Sequence, residues 1–75
     1  MTDKRTYYIR DLETSEVALC NGSDMVEAVQ RMSEHGIPSR FFDKTAAFGV
    51  WKKSLPAEVA ARLDNGEAVI MEAKA

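Results

Sequence analysis

An α+β fold is predicted: a small two-layer sandwich, with a mainly antiparallel sheet carrying two helices on one face and elements in the order ββαββαβ. Three observations predict it. The runs "TYYIRD", "VALC" and "EAVIMEA" are rich in β-branched, aromatic and other apolar residues, lie beside turn residues, and read as strands. Two other segments repeat apolar residues at helical spacing, and a glycine closes each. Each of these helices has a single apolar stripe, which must be covered by a sheet face or another helix.

Residues 1–5 are polar and read as a flexible N-terminal tail, so that 6–75 form one α+β domain. Thr6–Asp11 is the first strand. "LETSE" is a turn of about five residues, and "VALC" the second strand, so the pair makes a hairpin. Asp24 is placed to cap the next element, with Glu27 three residues later as a capping box requires. Met25, Ala28, Val29 and Met32 share one helix face, and Glu27 and Arg31 form an i,i+4 pair. Gly36, Ile37 and Pro38 supply a left-handed stop, a closing apolar contact and a block to continuation. A helix over Asp24–His35 follows.

The next segment, "RFFDKTAAFGVWKK", reads two ways. As a hairpin, Arg40–Asp43 pairs with Ala47–Lys52 around "DKTA". As a helix, it is capped by Asp43 and burdened by Gly49, which costs about 1 kcal/mol in a helix interior. The β preference of Phe, Val and Trp favours the hairpin. Ser54 then caps a second helix with Leu55, Val59, Ala60 and Leu63 as its stripe, Glu58–Arg62 as its i,i+4 pair, and Asn65-Gly66 as its stop. In the last strand Val69, Met71 and Ala73 alternate with Ala68 and Ile70. Val17, Leu19, Val69 and Met71 are expected to face the helices, joined by Tyr7 and Ile9. Tyr8, Arg10, Ala18, Cys20 and Ile70 then face away, with either Trp51 or the Phe48/Val50 set.

Composition narrows the function. The 45% hydrophobic and 29% charged residues fit an ordered globular chain. The net charge of −2 does not favour nucleic acid or an anionic membrane. Charge is unevenly spread, however: residues 36–53 carry Arg40, Lys44, Lys52 and Lys53 against Asp43, and both flanks are acidic. One cysteine, Cys20, allows no intrachain disulfide, no apolar leader follows "MTDKR", and no apolar run approaches a membrane span. A cytoplasmic protein with no membrane association is expected.

No chemistry-bearing motif appears. His35 and Cys20 stand alone, without metal-ligand spacing, and the carboxylates have capping or helix-surface roles. No phosphate loop or dinucleotide fingerprint occurs. No catalytic residue, metal or cofactor is expected. The expected activity is binding: a non-enzymatic regulatory or accessory protein meeting a protein partner through an aromatic and basic sheet face. In size and style it is comparable to small phage or mobile-element proteins that modulate host machinery. The residues expected on that face are Tyr8, Arg10, Arg40, Phe42, Lys44, Trp51, Lys52 and Lys53. With a core this small, a homodimer is a further expectation. The alternative is a single-stranded nucleic-acid module using residues 40–53, where cations would meet phosphate and aromatics would stack on bases.

Overall fold

A computed structural model describes residues 5–43 and 45–72. Residues 1–4 of the expected 1–5 tail, Lys44, and Ala73 of the last strand lie outside the described residues, whereas Arg5, expected in the tail, is the first residue of a strand. The elements are β1 (Arg5–Asp11), β2 (Glu16–Gly22), α1 (Met25–Glu34), α2 (Arg40–Asp43), β3 (Thr45–Val50), α3 (Ala57–Asp64) and β4 (Val69–Glu72). The four strands form one sheet in the order β3-β1-β2-β4, and every neighbouring pair is antiparallel. The predicted α+β class, antiparallel sheet and element order are therefore present, with one element changed.

That element is the first half of the expected 40–53 hairpin. Arg40–Asp43 is a single helical turn, not a strand, and β3 pairs with β1 instead. Ser39 begins the turn, since its carbonyl accepts from the Phe42 and Asp43 amides at 2.9 and 3.1 Å. Phe41 is thereby driven into the core, where it is fully buried. Tertiary burial of one ring outweighs the β preference of a short segment.

The β1–β2 hairpin explains how the helices are placed. Its loop is residues 12–15, four residues rather than the expected five, so Tyr7 lies opposite Cys20 and Tyr8 opposite Leu19. Asp11 Oδ1 sets the loop by accepting the Glu13 amide at 2.7 Å, and Ser15 closes it with a left-handed φ of 61°. One residue of register exchanges the faces of a strand. Tyr7 and Ile9 accordingly share a face with Ala18 and Cys20, not with Val17 and Leu19 as expected.

Both faces are buried. On one, Tyr7, Ile9, Ala18 and Cys20 pack against Ala28 and Met32 of α1 and Phe41 of α2. On the other, Val17, Leu19 and Val69 pack against Leu63 of α3. The two long helices thus flank the sheet instead of sharing a face. Ala18 and Cys20, expected to face outward, are fully buried under α1. The unbroken apolar run of "VALC" is the signature of a strand covered on both sides.

The helix ends follow local chemistry. Asp24 caps α1 by accepting the Glu27 amide at 2.8 Å, and Ser23 hydroxyl donates to Glu27 Oε2 at 2.6 Å. At the far end Ile37 N–H reaches Met32 C=O and Gly36 N–H reaches Ser33 C=O, with Gly36 at φ 83°. Glu27 and Arg31 pair at 3.4 Å. α3 starts two residues later than predicted, because Pro56 disfavours a helical Leu55. Ser54 is therefore not its cap, and Pro56 stands in that place without a side-chain hydrogen bond. Arg62 pairs with Glu67 across the helix end.

Candidate functional site

α3 covers β2 and β4 and leaves the β1–β3 end of its face open. Tyr8 and Arg10 project there from β1, opposite Gly49 and Ala47 of β3. Trp51 follows β3 and is tied to the sheet by its amide, which donates to Thr6 C=O at 2.7 Å. Its indole meets the Tyr8 ring edge to face, with centroids 5.5 Å apart and planes at 77°. Lys53 Nζ stands 5.8 Å from the indole centroid, within reach of a cation–π contact.

These side chains line a cleft of about 200 Å³, formed by Tyr8, Arg10, Val50, Trp51, Lys52 and Lys53. Five of the eight predicted site residues are therefore gathered in one place. Tyr8 and Trp51 also pack against the core under α3, so each ring serves as core on one side and cleft wall on the other. Arg10 Nε and Trp51 Nε1 are buried without a hydrogen-bond partner. A desolvated, unmatched donor costs roughly 1–3 kcal/mol, and both belong to side chains that line the cleft.

Of the other three predicted site residues, Lys44 is outside the described residues, and Arg40 and Phe42 lie elsewhere. Arg40 Nη1 donates to Asp11 Oδ2 at 2.6 Å, Nη2 reaches Glu16 Oε1 at 3.2 Å, and Cζ sits 4.9 Å from the Phe41 centroid. It clamps α2 to the β1–β2 hairpin, and its charge is spent on that contact. Phe42 belongs to the opposite face, where with Ile9, Met25, Val29 and Phe48 it lines an apolar groove of about 320 Å³. Alternation along β3 does separate Phe48 from Trp51, as the sequence predicts. Phe48 lies opposite Ile9 and is 66% exposed.

Asp11 was missed as a structural centre. It is buried, and the Glu13 amide, with help from the Thr14 amide and the Arg40 guanidinium, holds its carboxyl below the usual value despite opposing desolvation. A sequence signal existed: Asp at the start of a hairpin loop commonly accepts from the next two or three amides. Cys20 is buried, and desolvation pushes its thiol pKa up, which disfavours the nucleophilic thiolate. His35 is the exposed C-cap of α1. Among the described residues no three His, Cys, Asp or Glu side chains gather as a metal site, and no helix is long and apolar enough to cross a membrane.

The chain was compared with protein-family models, curated proteins and solved structures, and none of them matches.

Proposed function

We propose that this protein is a non-enzymatic binding module, regulatory or accessory in role, that takes an acidic segment of a protein partner into the Tyr8–Trp51 cleft. The observation that carries the reading is the joining of an aromatic pair and three cations within one concavity. A carboxylate seated there would meet Arg10, Lys52 and Lys53 while an apolar neighbour lay against the rings. Aromatic and arginine anchors in partly desolvated pockets are the usual centres of protein interfaces.

A single-stranded nucleic acid is the second reading, favoured by the cation and indole side by side at Lys53 and Trp51. Two labelled probes separate them: a peptide alternating Glu and Phe, and an oligothymidylate. Under the protein reading, the peptide binds and a K52E/K53E double variant weakens it at least tenfold without changing the circular dichroism, since both lysines are exposed. Trp51→Ala should abolish binding as well. If instead only the oligonucleotide binds, with affinity falling steeply as salt rises, the nucleic-acid reading replaces the first. Peptide binding untouched by both variants would remove the cleft from either account.

A further inference from the structure

The cations of this chain fall into two groups. Arg31 meets Glu27, Arg40 meets Asp11 and Glu16, and Arg62 meets Glu67. Arg10, Lys52 and Lys53 line the Tyr8–Trp51 cleft together, and among the described residues no carboxylate pairs with any of them. Three like charges held in one concavity repel one another, and an anion that enters relieves the repulsion. The chain as a whole carries a net charge of −2, so this positive field is local to the cleft. A compact anion is attracted there, whereas an extended polyanion also meets the acidic remainder of the surface.

The size and walls of the cleft narrow the anion further. Its volume of about 200 Å³ lies below the roughly 300–1,000 Å³ of pockets that enclose a whole small molecule. That is room for one side chain of a partner. The walls are the half-buried Tyr8 and Trp51 rings, held edge to face by their own contact and by the core beneath α3. A flat ring lies against such walls with more contact than a short aliphatic carboxylate does.

We propose that the side chain this cleft takes is a phosphotyrosine of the partner, so that phosphorylation of the partner recruits this protein. The proposal rests on the cleft being a protein-binding site and specifies its ligand. A carboxylate brings one negative charge and two oxygens to three cations. A phosphoryl group brings about −1.5 to −2 charge and three acceptor oxygens at one point, which serves Arg10, Lys52 and Lys53 together. Arg10 offers the planar fork that matches two phosphate oxygens, and the lysines act as point charges. The phenyl ring that carries the phosphoryl lies against Tyr8 and Trp51. Lys53 Nζ, 5.8 Å from the indole centroid, leaves a weak exposed contact to reach the anion.

Fluorescence anisotropy with four labelled peptides tests this on the full chain. The first is the alternating Glu and Phe peptide. The others replace its central Phe with tyrosine, phosphotyrosine or phosphoserine. The phosphotyrosine peptide should bind about tenfold tighter than the tyrosine peptide. It should also bind several-fold tighter than the phosphoserine peptide, which has the added charge without the ring. Arg10→Lys keeps the charge but loses the fork, and should shrink the advantage of phosphotyrosine over tyrosine. If the Glu and Phe peptide binds and phosphorylation of the tyrosine does not tighten binding, this proposal is overturned while the acidic-segment reading stands. Equal affinity for phosphoserine and phosphotyrosine also overturns it, since the ring then plays no part. Binding of none of the four overturns both. If Arg10→Lys fails to fold, the comparison of peptides on the wild type decides alone.

Discussion

Asp11 shows how one side chain fixes several decisions at once. It receives the loop amides, sets the register of the hairpin and anchors Arg40 of α2. Because its folded pKa is depressed, its contribution is complete well above the unfolded value near 3.9 and is lost as pH falls through the folded pKa. Thermal unfolding should therefore show a midpoint that drops as pH is lowered below about 4, and Asp11→Asn should flatten that part of the curve while lowering stability at neutral pH. An unchanged acid limb in the variant would mean that other carboxylates govern it. Cys20 leads to a simpler expectation. Buried between strand and helix with its thiol pKa raised, it should resist iodoacetamide in the native protein and react readily once urea unfolds the chain. Rapid native alkylation would show that α1 opens easily from the sheet.

Among the elements, α1 was the most legible from sequence, because its cap, stripe and stop are all local signals. Its N-cap can be tested directly: Asp24→Ala should cost about 1 kcal/mol, read as a lower urea midpoint at unchanged slope. α3 was placed correctly but started too early, since the restriction that Pro56 imposes on Leu55 was not weighed against the serine cap. The 40–53 segment was half legible. Its strand half and the opposed faces of Phe48 and Trp51 follow from alternation, but the helical turn at Arg40–Asp43 exists because Phe41 finds a pocket between β1 and α1, and no local pattern announces that. The same limit applied to the site. Residue type and strand phase singled out Tyr8, Arg10, Trp51, Lys52 and Lys53, which line one cleft. The ion pairing that holds Arg40 away from the cleft was not legible, because its acidic partners, Asp11 and Glu16, stand more than twenty residues away in the chain.

For the molecule as a whole, the decisive feature is a central hairpin clad on both sides. β1 and β2 occupy the middle of the sheet, and the four apolar residues Val17–Cys20 are fully buried. A chain of 75 residues has a stability of roughly 4–11 kcal/mol. Phe41 is among the largest fully buried side chains, and truncating it to alanine should remove about 3–5 kcal/mol. Phe41→Ala should therefore be partly or wholly unfolded at 37 °C by circular dichroism, whereas Phe48→Ala, at an exposed position, should change the midpoint little. The strand order also sets a timetable for synthesis. β2 is made early, yet its partner β4 and the helix that covers Val17 and Leu19 come from the far part of the sequence. At roughly 5–20 residues per second, the ~50 residues between Leu19 and Val69 take several seconds to translate. Throughout that interval one apolar face of the newborn hairpin has no cover of its own, and any such cover must come from a chaperone, the ribosome surface or a neighbouring nascent chain.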